Sequence, residues 1–191
     1  MCLDPGANLG ISIVEMDVMH TSMKVLHSET MFLNKIAEKK YAHIVEEHGL
    51  RFARFFALRN LLLYLMKKWQ IDAVIHENAF LHMKRVTAGI SLSQYVLFIQ
   101  LTAKEYDPML PVFGYSPFEV KASVKAKKLN SDKKQINNAL LLLPDLDISL
   151  IDINTLDEHS VDSIAIGYCY FDKNRKKVES YELSSIGGKV R

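Results

Sequence analysis

Ile71-Asp72-Ala73-Val74-Ile75-His76-Glu77-Asn78-Ala79-Phe80 is the stretch on which the reading of this chain turns. Ala73-Val74-Ile75 is short, apolar and β-branched, as a buried strand is. It delivers Glu77 at its carboxyl end, the end of an open α/β sheet where sites form. Upstream, from about Leu50 to Gln70, Phe52, Phe55, Phe56, Leu62, Leu63 and Met66 fall at helical spacing, with Arg51, Arg54, Arg59, Lys67 and Lys68 on the solvent side. A helix followed by a strand is a crossover that returns the chain to a parallel sheet.

Working outward to the N-terminus, Met1-Cys2-Leu3-Asp4-Pro5-Gly6-Ala7-Asn8-Leu9-Gly10 reads as a strand, an acid and a turn reversing into a second strand, Ile11 to Met16. Gly6 and Gly10 suit a tight reversal with positive φ. Three residues before Asp4 are few for a strand: either the strand is short or the start lies upstream. Met23 to Phe32 is a third strand, completing a meander, and 33–48 is a charged, mixed loop with some helix.

In the other direction, 84–89 is a polar loop and Ser91 to Tyr106 a helix. Its Leu92, Tyr95, Val96, Ile99 and Leu101 make it too apolar for a lone surface helix and point to a dimer contact. Pro111 to Tyr115 is a short strand, and 116–130 is dominated by lysine. A helix spans Ser131 to Leu143. Thr155 and Glu158 form a capping box that opens a last helix through about Phe171. The expected domain is 1–171, followed by a basic, flexible tail over 172–191. The order of elements gives an α/β fold with a mixed sheet and an antiparallel meander at one edge.

Composition excludes several classes. The chain has 191 residues, 49% apolar and 24% charged, which suits one globular domain. A formal charge of +2 says nothing about nucleic acid, so any basic surface is local. Cys2 and Cys169 form no disulfide framework and no zinc knuckle, which points to a reducing cytoplasm. Asp4, Glu15 and Asp17 argue against a signal peptide, and no apolar run reaches the roughly 18–20 residues of a membrane helix. No Walker loop, nucleophile elbow or zinc spacing is present.

Asp4 and Glu77 each end an apolar strand of the same expected sheet. Neighbouring strands would bring the two carboxylates within a few ångströms, which is costly without a cation between them. Their hard oxygens suit Mg²⁺ or Mn²⁺. His159 and Asp162, three apart, share one face at the start of the last helix. Capping explains Asp157 and Glu158. It does not explain Asp162, which sits deeper among Val161, Ile164 and Ala165 and wants a partner. Lys121, Lys125, Lys127, Lys128, Lys133 and Lys134 lie within fourteen residues, opposed only by Asp132. Such a run is usually a solvated face, but clustered lysines also suit binding of phosphates.

Asp4-Pro5-Gly6 with Gly10, Glu77-Asn78-Ala79-Phe80, and His159-Ser160-Val161-Asp162-Ser163-Ile164-Ala165 resemble, in order and spacing, the three signatures of RuvC-type Holliday junction resolvases. The resemblance covers 1–171. It implies an RNase H-like fold, a mixed five-stranded sheet with helices on both faces. It also implies a homodimer, with the helix 91–106 as its interface, that nicks four-way and other branched DNA and leaves a 5′-phosphate. Two Mg²⁺ or Mn²⁺ ions would be held by Asp4, Glu77, His159 and Asp162. His159 matches a position that is Asp in some members. Phe80 matches an aromatic that pushes against bases near the junction centre. Lys121 and Lys133 match functional lysines, of which Lys133 is the catalytic candidate, while Lys125, Lys127, Lys128 and Lys134 are backbone contacts. Ala126 stands where the family has glycine, and the lysine loop is about one residue longer. These departures resemble phage-encoded members, for which the host cytoplasm is the compartment. The alternatives are a nuclease of the same fold acting on RNA or RNA–DNA hybrid, and a junction-binding protein with a degenerate site.

Overall fold

A computed structural model describes residues 1–17, 19, 21–79, 86–126 and 133–187; at 86, 88, 133, 134 and 182–187 it describes the backbone alone. Three antiparallel strands come first: β1 (Cys2–Asp4), β2 (Asn8–Asp17) and β3 (Ser22–Phe32). Helices α1 (Leu33–Lys40) and α2 (Ala42–Trp69) lead to β4 (Val74–Glu77), α3 (Val86–Tyr106) and β5 (Val112–Tyr115). Then come α4 (Pro117–Ser123), α5 (Lys133–Leu141), β6 (Leu146–Asp147), a 3-10 turn (Ile153–Thr155) and α6 (Glu158–Gly187). The sheet order is β5-β4-β1-β2-β3-β6. β4 runs parallel to β1 and β5, and β6 parallel to β3, so the sheet is mixed.

Alternation along the strands divides the core into two layers. Leu3, Leu9, Ile11, Ile13 and Val74 pack under α2 and α3 with Phe55, Leu58, Leu62, Tyr95 and Ile99. Cys2, Met23, Val25 and Ile75 pack under α4, α5 and α6 with Val120, Ile136, Ile164, Ala165 and Phe171. A slip of one residue in β1 or β4 would move Asp4 or Glu77 to the wrong layer, so burial fixes the register of the site.

Several expectations are corrected. The sheet has six strands, not five. β6 is two residues long, too short to leave a periodic signal, and is held by pairing with Met23 and Lys24. The stretch 33–48 is helical, α1 continuing into α2, which kinks where Gly49 adopts φ 81°. The last helix does not stop near Phe171 but runs to Gly187. Asp172 there binds both Arg175 and Lys176, helical neighbours that carry the coil onward. Thr155 is not its cap: its hydroxyl donates to Asp152 O at 2.7 Å, within the 3-10 turn. Asp157 caps α6 instead, accepting from Ser160 N at 3.0 Å. Neither Gly6 nor Gly10 has positive φ.

Candidate active site

β1 and β4 are adjacent and parallel, so Asp4 and Glu77 emerge at the same edge of the sheet. Both face the layer containing α6, whose first turns carry His159 and Asp162. The start of α6 is pinned by hydroxyls from β3. Ser28 Oγ donates to Ser160 O at 3.1 Å, Thr30 Oγ1 pairs with Ser160 Oγ at 2.8 Å, and Thr30 Oγ1 also donates to Asp157. Gly10, opposite Asp4 on β2, lets this happen: a Cβ there would lie 2.0 Å from His159 O. The glycine serves close approach, not a left-handed turn.

His159 Nδ1 lies 2.8 Å from Asp4 Oδ2. This hydrogen bond raises the imidazole pKa above its ordinary value. Asp4 is raised as well, because burial outweighs the attraction of His159. Glu77 is pushed up to about 8, first by burial and then by the charges of Asp4 and Asp162, with Lys121 opposing. Asp162 is pushed up to about 7 by burial and by Asp4, with His159 and Lys121 opposing. Three half-buried carboxylates that repel one another, at the ends of β1 and β4 and in the first turns of α6, form a centre that a hard divalent cation would stabilise. Among the described residues, no three His, Cys, Asp or Glu groups stand as a ready-made ligand cage. The donor chemistry fits Mg²⁺ or Mn²⁺, which Asp4, Glu77, Asp162 and His159 would hold.

That repulsion gives a first prediction. A carboxyl whose pKa rises on folding contributes stability below its unfolded value and loses it as pH climbs through its folded value. His159, also raised, acts with the same sign. Metal-free protein is therefore expected to be more stable near pH 5 than near pH 8, by a few kcal/mol on the order of one to two per shifted carboxyl. Glu77→Gln should flatten the trend, and Mg²⁺ should raise the melting temperature mainly at pH 8. A melting temperature independent of pH between 5 and 8, with and without Mg²⁺, would count against the cluster.

Of the lysines, Lys121 sits half-buried on α4, close enough to act on both Glu77 and Asp162. Lys125 is exposed in the turn after α4 at φ 57°. Lys133 and Lys134 open α5, their backbone alone described, while Phe80, Lys127 and Lys128 lie outside the described residues. Sequence reading missed what holds α4 in place. Ser116 and Glu119 form a reciprocal capping box there, and Lys173 of α6 pairs with Glu119. The Ser-Pro-x-Glu pattern at 116–119 carries that cap signal. His76 is buried beside Glu77, with Nδ1 3.0 Å from Glu77 O and Nε2 3.3 Å from Gln100 Nε2.

No family model matches the chain. Crossover junction endodeoxyribonuclease RuvC of Thermotoga maritima is 29% identical over 185 residues, covering 94% of this chain and 94% of that protein. The structure of T. thermophilus RuvC in complex with Holliday junction substrate superposes with TM-score 0.66 at 18% identity, over 92% of this chain and 94% of that one. The yeast mitochondrial Holliday junction resolvase Ydc2 gives TM-score 0.59 at 9% identity, over 94% of this chain and 81% of that one. The chain is thus similar in sequence to RuvC along nearly its whole length, and it shares the fold of the solved RuvC structures.

Proposed function

We propose that this chain is a divalent-metal-dependent endonuclease that nicks four-way and other branched DNA junctions, leaving a 5′-phosphate. One observation supports the reading: Asp4 and Glu77 end adjacent parallel strands that face the first turns of α6, where His159 bonds Asp4 and where Asp162 and, from α4, Lys121 act electrostatically on Glu77. These four side chains would hold two Mg²⁺ or Mn²⁺ ions. When bound, the ions supply an activated water and neutralise charge developing on the phosphodiester. Lys121 and Lys133 offset charge on the scissile phosphate, Lys125, Lys127, Lys128 and Lys134 hold the flanking backbone, and Phe80 pushes against bases at the junction centre. Cys2 and Cys169, free and buried, fit a reducing cytoplasm.

The test is cleavage of a synthetic four-way junction beside Y-shaped, linear duplex and RNA–DNA hybrid substrates, in Mg²⁺ or Mn²⁺. Paired symmetric nicks in the junction are expected. Cutting of hybrid alone would move the chain to an RNase H-like role, and tight binding without cutting in either metal would leave a non-catalytic junction binder.

A four-way junction has twofold symmetry, which a symmetric dimer with two sites matches. α3 offers the surface: Ile90, Leu97 and Leu101, at helical spacing, are 50–57% exposed. Large apolar side chains in such a row favour a covered face. Leu97→Glu with Leu101→Glu should convert a dimer to a folded monomer in sedimentation experiments. A dimer that survives both changes would place the interface elsewhere.

A further inference from the structure

We infer that two exposed phenylalanines, Phe118 and Phe32, bracket the acid cluster and stack on unpaired bases of the strands entering and leaving it. This deepens the nuclease reading and rests on it. Isolated exposed rings are ordinary on protein surfaces; placement distinguishes these two. Phe118 is 63% exposed and Phe32 41%. Phe118 lies in the first turn of α4, directly after β5, whose Tyr115 is paired with Glu77. Phe32 ends β3. Asp4 is opposite Gly10, and Gly10 opposite Thr30, so Thr30 shares the face of Asp4, and Phe32, two residues on, shares it too. Leu33 N donates to Ala7 O at 2.9 Å, tying Phe32 to the turn that follows Asp4. Both rings thus stand at the edge where the acids emerge. β5 and β3 each lie two strands from β1, roughly 10 Å to either side across the sheet, so the segments carrying Phe118 and Phe32 leave the sheet on opposite sides of Asp4.

Each ring is accompanied by a cation. Lys35 Nζ sits 4.7 Å from the Phe32 centroid. Lys121, three residues after Phe118, shares its helical face and acts on Glu77 and Asp162. Glu119, next to Phe118 in sequence, is engaged by Ser116 and Lys173, and Asp157, bonded to Thr30 on the face of Phe32, is engaged by Ser160 as well. An aromatic face with a lysine beside it suits a nucleotide, ring on base and ammonium on phosphate. A base stacked on Phe32 would displace an ammonium whose exposed contact with the ring is weak. Continuous duplex keeps its bases stacked and offers no free face, whereas a branch point does. The brackets therefore act as discriminators for branched DNA.

The experiment uses Glu77→Gln protein, so that substrate stays intact, with 2-aminopurine placed beside the branch point. Phe118→Ala and Phe32→Ala are each expected to weaken junction binding roughly tenfold. Both should leave linear-duplex affinity unchanged and restore fluorescence that stacking quenches in the parent. Phe118→Trp and Phe32→Trp should keep both readouts. Melting temperatures check that these surface changes leave the fold intact. Alanine variants that bind the junction like the parent, or that lose junction and duplex affinity equally, would overturn the brackets alone. A wild-type chain that neither binds nor cuts branched DNA would overturn the nuclease reading and the brackets with it.

Discussion

Glu77→Gln is expected to lower junction cleavage by roughly a thousandfold or more, the scale on which loss of one group that stabilises transition-state charge is felt. Junction affinity should stay within about twofold, because backbone lysines rather than the acids carry binding. The same substitution should raise the stability of metal-free protein. Glu77 is half-buried, and its carboxyl is pushed up to about 8 by loss of water around it and by Asp4 and Asp162. A neutral amide of the same shape needs neither protonation nor the desolvation of a charge to fold at neutral pH. Activity lost while stability is gained marks a group kept for chemistry rather than for folding. The measurements are gel-resolved cleavage, fluorescence anisotropy with labelled junction, and thermal melting without metal. Undiminished cutting, or loss of binding by a folded protein, would remove Glu77 from the site.

Gly10→Ala is the second large effect. The new Cβ would stand 2.0 Å from His159 O and 2.5 Å from His159 C, with Asp4 Cβ at 3.1 Å. These are backbone atoms of α6, so no rotamer can yield. The helix start must leave the sheet, against the hydrogen bonds that Ser28 and Thr30 make to Ser160 and Asp157. A cost of about 3 kcal/mol, the upper part of the usual overpacking range, is expected. That corresponds to a fall of roughly 6–12 °C in melting temperature for a domain of this size. Cleavage should fall as well, since His159 and Asp162 ride on the displaced turn. A variant that melts with the wild type would mean that α6 stands further from β2.

The acids were legible in the sequence because each follows a pattern that burial enforces. Asp4 and Glu77 end apolar runs, and Asp162 interrupts an apolar helix face where an acid without a partner is expensive. The elements that went unseen are those held by distant partners. β6 exists through its register with Met23 and Lys24. The real cap of α6, Asp157, is selected over Thr155 by Thr30, which lies 127 residues away in sequence. Helix beyond Phe171 was hidden because a charged surface helix there lacks a clear apolar stripe, and side-chain pairs such as Asp172 with Lys176 support it instead. Gly10 was noticed for the wrong reason: its role depends on α6, which no local pattern around it announces.

The hydrogen bond between Asp4 and His159 spans 155 positions of the chain. Synthesis proceeds at about 5–20 residues per second, so roughly 8–30 s separate the emergence of its two ends from the ribosome. Until α6 arrives, β1, β2 and β3 lack the helix that covers one of their faces, and the acid cluster lacks His159 and Asp162. A chain broken off earlier would carry Asp4 and Glu77 without the rest of the donor set. By this order of assembly, a copy broken off before α6 lacks two of the four side chains on which the proposed cutting depends.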